Sequence, residues 1–332
     1  MSATTRQKEL RIMRKLAFGT LSIDGNPQVV VIAEGHAVPL EHLLPNGPTD
    51  LAGVISAWPT LCERLESLAC DLDLLGFPYA ADLKWLPPLQ PAKVLCVGSN
   101  YWDHVAEMAG PAGVTAGESP FPYSFLKPPN ALVGSGHEVA YPSYGERLDW
   151  EAELGVVIGE PAAASGAEPL DAVFGYTIVN DLSLRDFIPF PHALGLDALV
   201  SKGFDGAAPV GPWITPARYV PDPQNLAVEL KIDGQTMQSS STAKMIFGIR
   251  ELIAHYARVL TLEPGDLIAT GTPAGVGAAR KPPRYLRPGE QIEASVEGLG
   301  VLRTQITERR GEFRKLDGPI VGRVMPDLEP TR

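Results

Sequence analysis

Two glutamates, Glu151 and Glu153, stand two residues apart in LDWEAELGVVIGE, a run that otherwise reads as a β-strand. Side chains at i and i+2 of a strand point to one face. Two carboxylates side by side repel each other, and burying them costs desolvation energy. A hard divalent cation bound by oxygen ligands is the simplest compensation. A solvated acidic strand edge is the bland alternative. Asp181 closes the next apolar run, VFGYTIVN, where a carboxylate is awkward without a partner. Its alternative is to cap a helix through LSLRD. Asp149 shares the parity of the glutamates and competes with them as a ligand.

A second pair, His104 and Glu107, is spaced i and i+3 in YWDHVAEM. On a helical turn these side chains meet. A carboxylate beside an imidazole orients it and raises its basicity, which suits a general base acting on water. The same spacing also arises from an ordinary surface His–Glu pair. ATGTPAGVG has the glycines of a phosphate loop but not the GK[ST] ending or the following long helix. No GxSxG elbow occurs, so a serine hydrolase has no support.

The elements that must carry these residues are mostly strands. KLAFGTLSI and QVVVIAEG flank Asp24-Gly25-Asn26-Pro27, a hairpin turn signal. Residues 50–75 have helical periodicity, interrupted near Pro59. WLPPLQPAK, residues 85–93, reads as a stiff proline-rich linker and places a domain boundary near residue 90. Beyond it come VLCVGSN, SFLK, ELGVVIGE, VFGYTIVND, LAVELKIDG, DLIATGT, QIEASVEG and VLRTQIT, all strand-like. The spacing predicts one long helix over 241–260. Strands and helices do not alternate regularly, which excludes a doubly wound parallel sheet.

A net charge of −11 argues against nucleic acid or an anionic membrane as partner. Cys62, Cys70 and Cys96 have no metal-ligand spacing and indicate a reducing compartment, hence a cytoplasmic setting. No apolar run is long enough to span a membrane, and the charged N-terminus has no apolar signal region behind it.

The ordered series VLCVGSNYWDHVAEM, FLKPPNALVGSG, LDWEAELGVVIG, VFGYTIVNDLSLRD, SKGFDGAAPVGPW, KMIFGIRELIAHYARVLTLEPGD and ATGTPAGVG resembles the fumarylacetoacetate hydrolase superfamily. It is most similar to the branch of acylpyruvate hydrolases, decarboxylases and 2-hydroxyhepta-2,4-diene-1,7-dioate isomerases. The likeness covers residues 94–308, and residues 1–90 resemble the smaller N-terminal domain of some members only weakly. The resemblance implies an α+β, mainly β fold. This would be a mixed β-sandwich roll over residues 91–332, preceded by a small α/β domain over 1–90. It implies Glu151, Glu153 and Asp181 as ligands of Mg²⁺, or alternatively Mn²⁺ or Ca²⁺. His104 and Glu107 match a dyad on a mobile lid, which the glycine-rich loop at 110–118 would hinge.

Lys202 matches a lysine beside metal and substrate, where it would stabilise an enolate or oxyanion. Arg185 matches an arginine able to bind a substrate carboxylate. From the residues alone, an ion pair with Asp186 or another carboxylate is equally open. Thr272 matches a substrate-contacting threonine, and Lys127 reads as structural. A homodimer is also implied.

The function implied is metal-dependent hydrolysis of a carbon–carbon bond in a 2,4-diketo acid. An acylpyruvate would give pyruvate, or a related keto acid, and a carboxylic acid. Decarboxylation or enol–keto isomerisation of a related 2-oxo acid uses the same enolate chemistry, and a non-catalytic metal-binding relative is a further alternative. Two departures stand out. Ser99 occupies a position where relatives often carry arginine, and Ile188 one where many carry glutamine. With Phe187, Pro189, Phe190 and Pro191, Ile188 makes an apolar segment and points to a larger or less polar acyl group, as in aromatic compound catabolism.

Overall fold

The computed structural model describes residues 14–109, 121–162, 168–188 and 197–309. The chain opens with a meander, β1 (Leu16–Ile23), β2 (Asn26–Ala33) and β3 (His36–Pro39). Its tight turns, Asp24-Gly25 and Glu34-Gly35, have positive φ at both positions, the geometry that matches strand twist. Helices α1 (Leu40–Leu43) and α2 (Leu51–Cys70) follow. Asp50 caps α2 by accepting from Gly53 N at 2.7 Å, and Pro59 lies inside the helix.

The remaining strands are β4 (Val94–Gly98), β5 (Tyr123–Lys127), β6 (Leu132–Val133), β7 (His137–Ala140), β8 (Leu148–Asp149) and β9 (Ala152–Ile158). They continue as β10 (Val173–Asn180), β11 (Ser183–Leu184), β12 (Ala208–Pro216), β13 (Ala227–Ile232) and β14 (Gln235–Ser241). The last are β15 (Leu267–Ala269), β16 (Gln291–Val296) and β17 (Val301–Thr307). Among the described residues three helices interrupt them: α3 (Trp102–Ala109), α4 (Ala198–Lys202) and α5 (Ile249–Val259). The large sheet runs β3-β2-β1-β12-β10-β9-β15-β4-β5, with β6 beside β12. A five-stranded sheet runs β14-β13-β16-β17-β7, and β11 pairs with β8. The fold is mixed and mainly β, as expected.

Layering explains why β9 and β10 are buried along nearly their whole length. On one side Leu154, Val156 and Ile178 pack against Leu230, Ile292, Ala294 and Leu302 of the smaller sheet. On the other, Val157, Phe174 and Val179 share a cluster with Leu51, Val54, Ile55 and Leu65 of α2. Strands covered on both faces are continuous apolar runs. Residues before position 90 therefore roof the central strands, and β1 joins them through β12 in the register Phe18↔Ile214.

The proline-rich stretch 85–93 is a strap and not a free spacer. Trp85 is fully buried, and its indole N–H donates to Ala80 O at 3.0 Å. Leu86 N donates to Thr20 O at 3.0 Å. The helix expected over 241–260 begins only at Ile249. Ser240 and Ser241 belong to β14, and Thr242 Oγ1 accepts from Leu226 N at 2.8 Å. Helical spacing could not reveal that pairing. Among the described residues no helix is long and apolar enough to cross a membrane.

Candidate active site

The β9–β10 register builds the acidic site. Val179 pairs with Glu153 and Asn180 with Ala152, so Asp181 emerges beside Glu151. Asp181 N donates to Glu151 O at 2.8 Å, and Glu151 N donates to Asn180 Oδ1 at 3.0 Å. Glu151, Glu153 and Asp181 are buried, and one oxygen of each lies within 4.8 Å of the others. Asp181 does not cap a helix: the next turn, Arg185–Phe187, is a short 3₁₀ segment that begins after Leu184.

Three cations surround the triad. Lys202, the last residue of α4, places Nζ 2.8 Å from Glu151 Oε2 and 2.6 Å from Asp181 Oδ2. Its ammonium also lies 5.3 Å from the centre of the Phe125 ring. Lys127 Nζ is 2.6 Å from Asp181 Oδ1. Arg185 donates from Nη2 to Glu151 Oε1 at 2.6 Å and from Nε to Asp149 Oδ2 at 2.8 Å. The ion-pair reading of Arg185 is therefore the one its geometry has, with Asp149 and Glu151 as partners. Asp186 instead pairs with Arg147 and accepts from the Glu146 and Arg147 backbone amides.

Asp149, the competing ligand, is already occupied. Besides Arg185 it accepts from the backbone N–H of Trp150, Gly277 and Ala278. Burial pushes the Glu151 carboxyl up, but Lys202, Arg185 and His104 outweigh it and hold the group well below the ordinary carboxylate range. Burial, Asp181 and Glu151 push Glu153 well above that range, against the partial opposition of Lys202 and the Gly271 N–H. Burial pulls Lys202 down, yet Asp181 and Glu151 hold it above its ordinary value.

This donor set fits a hard divalent cation. Four acidic side chains (Asp149, Glu151, Glu153, Asp181) crowd against three basic ones (Lys127, Arg185, Lys202), and a bound cation would offset the repulsion that pushes Glu153 up. Asp181 Oδ1 is buried and has no directed hydrogen-bond donor. The Lys127 ammonium beside it donates to the carbonyls of Leu182, Lys202 and Ala207. A buried acceptor with charge nearby but no proton aimed at it suits a metal ligand.

His104 is the one buried side chain of α3, and its Nδ1 lies 2.8 Å from Glu107 Oε1. An ionised carboxylate can only accept, so Nδ1–H donates and Nε2 is left for other chemistry. Glu107 Oε2 accepts from Gly275 N at 2.8 Å. The His–Glu pair is thus anchored to the ATGTPAGVG loop and is not a loose surface pair. The same loop reaches the triad, where Gly271 N donates to Glu153 Oε2 at 2.8 Å. Gly271 has φ +93°, a conformation that glycine adopts without strain.

Thr272 is buried, but its hydroxyl is engaged within the protein. It donates to Ala152 O at 2.9 Å and accepts from Gln238 Nε2 at 2.9 Å. Ile188 is half-buried and closes the 3₁₀ turn by donating from N to Arg185 O at 3.2 Å. Ser99 is exposed, with positive φ. The loop 110–118 and residues Pro189, Phe190 and Pro191 lie outside the described residues.

Two supporting residues escaped the sequence reading. Gln238 of β14 accepts from Ala152 N and donates to Pro273 O, joining the small sheet to the strand that carries Glu153. Asn100, fully buried, clamps Phe247 and Thr270 through their backbones. A polar residue in a strand or turn carries no local signal of such partners. A separate cavity of about 730 Å³ lies between the strap and α2, lined in part by Thr20, Ile55, Leu86 and Leu89, and none of the candidate site residues lines it.

Comparison with known proteins agrees with this architecture. The model of the fumarylacetoacetate (FAA) hydrolase C-terminal family matches residues 93–307. The chain is 37% identical over 239 residues to the oxaloacetate tautomerase YisK of Bacillus subtilis, covering 70% of this chain and 77% of that protein. It is 37% identical over 265 residues to 2,4-didehydro-3-deoxy-L-rhamnonate hydrolase of Sphingomonas sp. strain SKA58, covering 79% and 89%. The crystal structure of fumarylpyruvate hydrolase from Pseudomonas aeruginosa in complex with Mn²⁺ and pyruvate superposes with a TM-score of 0.59. That pair is 31% identical, and the alignment covers 71% of this chain and all of the other. The motifs, the buried acidic triad and these matches lead to one conclusion: this chain belongs to the fumarylacetoacetate hydrolase family.

Proposed function

We propose that this protein is a divalent-metal-dependent hydrolase that cleaves a carbon–carbon bond in a 2,4-diketo acid of the acylpyruvate type. The products are a 2-oxo acid such as pyruvate and a carboxylic acid. The observation that carries this reading is the chain His104–Glu107–Gly275, which holds an imidazole within electrostatic reach of Glu151 of the acidic triad. Mg²⁺, or Mn²⁺ as in the Pseudomonas enzyme, would be held by Glu151, Glu153 and Asp181 and would supply Lewis-acid polarisation of the 2-oxo acid end of the substrate.

The residues of the chain then divide the work. His104 Nε2 takes a proton from water, and Glu107 stabilises the imidazolium that forms. The hydroxide adds to the distal carbonyl carbon. Collapse of that adduct breaks the bond to C3, and the electron pair leaves on the enolate of the 2-oxo acid. Lys202 offers positive charge where that enolate develops. His104 returns its proton to C3. Lys127, Arg185 and Asp149 hold the acidic side chains in place. Ile188 and the half-buried Phe187 support a preference for a less polar acyl group.

A second reading is enol–keto tautomerisation of a 2-oxo dicarboxylate. The observation favouring it is the likeness to an oxaloacetate tautomerase at 37% identity. Here His104 moves one proton between carbon and oxygen, and no water is consumed. The experiment offers acylpyruvates of increasing acyl size, and oxaloacetate, to the Mg²⁺-loaded and EDTA-treated protein. Metal-dependent release of pyruvate and the matching acid in equal amounts supports the hydrolase. Loss of enol absorbance with no new acid supports the tautomerase. His104→Ala should lower either rate by about 10²–10⁴-fold, and full activity of that variant on every substrate would remove the base assignment.

A further inference from the structure

Helix α3 carries another acidic side chain, one that the proton-moving pair does not use. Asp103 Oδ2 accepts from Ser240 Oγ at 2.6 Å and from Lys244 Nζ at 3.0 Å. Its Oδ1 accepts from Ala274 N at 3.3 Å. These donors come from three places: the end of β14, the 3₁₀ turn Thr242–Lys244, and the loop that also holds Glu107 through Gly275.

The chain is anchored just before the helix, where Tyr101 is fully buried and bridges to Met245, and Glu107 ties its last turn to Gly275, but the helix itself buries little. His104 is its only buried residue, while Trp102 and Met108 are 51% and 50% exposed. Hydrophobic burial grows with the apolar area removed from water, so an eight-residue helix with one buried side chain docks weakly by that means. Its attachments are polar, and charge-assisted hydrogen bonds are the strong kind. The loop on which Asp103 and Glu107 rest has its opposite face tied to Glu153 and Ala152. The placement of α3 therefore sets the placement of His104, which lies within electrostatic reach of Glu151.

We propose that Asp103 is the positioning residue of the dyad, a latch that holds α3 against Ser240, Lys244 and Ala274 so that His104 is held in place only while those contacts are made. The proposal deepens the functional reading and rests on His104 as the proton-moving group.

The test combines hydrogen exchange and kinetics on the full-length, Mg²⁺-loaded protein, comparing wild type with Asp103→Ala, Asp103→Asn, Lys244→Met and His104→Ala. In Asp103→Ala, amides of 102–109 should exchange at least ~10-fold faster while β9 and β10 keep wild-type protection. Its kcat should fall roughly 10–100-fold with KM within about twofold, because the ground-state contacts of the substrate are untouched. Asp103→Asn keeps an acceptor for Ser240 but loses the charge paired with Lys244, so it should fall between wild type and Asp103→Ala. Lys244→Met leaves Asp103 in place and should loosen the same amides to a smaller degree, which covers the case of an Asp103→Ala protein that does not fold.

His104→Ala should lose activity with α3 still protected. Full activity in His104→Ala would sink the base assignment, and exchange in Asp103→Ala would still report on the latch. Wild-type protection of α3 in both Asp103→Ala and Lys244→Met, or faster exchange with unchanged kcat, would overturn the proposal.

Discussion

Arg185 Nη2 lies 2.6 Å from Glu151 Oε1, so the guanidinium is paired with a candidate metal ligand inside the protein. Its Nε holds Asp149 on the other side. Removing one partner of a buried ion pair strands the other charge, which costs more than the pair itself contributes. Arg185→Met should therefore destabilise the metal-free protein by roughly 3–5 kcal/mol. Mg²⁺ should recover part of this by compensating Glu151. Urea unfolding with and without Mg²⁺ checks it. Unchanged stability with a raised KM would instead mark Arg185 as a substrate-carboxylate ligand.

Glu153 sits among like charges, and burial together with Asp181 and Glu151 raises its carboxyl well above the ordinary range. A neutral isostere removes that repulsion. Glu153→Gln should leave the metal-free protein at least as stable as wild type while weakening divalent-cation binding by about 100-fold, a difference of ~2.7 kcal/mol. Calorimetric titration and thermal melting on the same samples separate the two effects. Unchanged cation affinity would remove Glu153 from the ligand set.

Gly271 holds φ +93°, and a Cβ there would lie 2.8 Å from Asn100 Cβ and 3.1 Å from Val97 O. Asn100 cannot retreat, because its amide is bonded to Phe247 and Thr270. Gly271→Ala should cost about 1–3 kcal/mol in strain. It should also pull the Gly271 N–H away from Glu153, so melting temperature and cation affinity are expected to fall together. A drop in stability alone would show that the loop relaxes elsewhere.

Burial pushes the Asp103 carboxyl up, but Ser240, Lys244 and the Ala274 N–H overcome this and hold it below the ordinary aspartate range. A depressed carboxyl contributes stability that is complete above its unfolded pKa, about 4. That contribution is lost as pH falls through the folded value. Ser240, Lys244 and the Ala274 N–H face the Asp103 carboxylate directly, Tyr101 lies within its electrostatic reach, and His104 and Glu107 share its helix. Docking of α3 should therefore persist as pH falls from neutrality to about 4 and weaken below it. Asp103→Asn should flatten that profile. Exchange rates of 102–109, corrected for intrinsic pH dependence, report it, and an identical profile in the variant would assign the transition to another group.

Much of the site was readable because its signals are local. The Glu151–Glu153 spacing on a strand, the i,i+3 pairing of His104 with Glu107, and the Asp24-Gly25 turn depend on backbone periodicity, which neighbouring residues encode. The likeness to the fumarylacetoacetate hydrolases rested on the order of such motifs along the chain, and residues 93–307 match that family. The start of α5 was not readable. Helical spacing continues through residues 241–248, while pairing of β14 with β13 claims Ser240 and Ser241 for the strand.

The sequence by itself determined which residue types are present and which share a strand face or a helical turn, hence the acidic pair, the dyad and the mainly β character. Tertiary structure alone decided who compensates whom. Arg185 reaches Glu151 across 34 residues, and Lys202 reaches the same carboxylate across 51. Lys127 meets the Lys202 carbonyl across 75. Gln238 and Thr272 interlock two sheets, and Asp103 finds Ser240 across 137 residues. The physical reason is that a charge or hydrogen bond acts through space over a few ångströms. Its partner is set by the register of β9 on β10 and by the packing of the loop 270–278, and neither is written in the spacing of nearby residues.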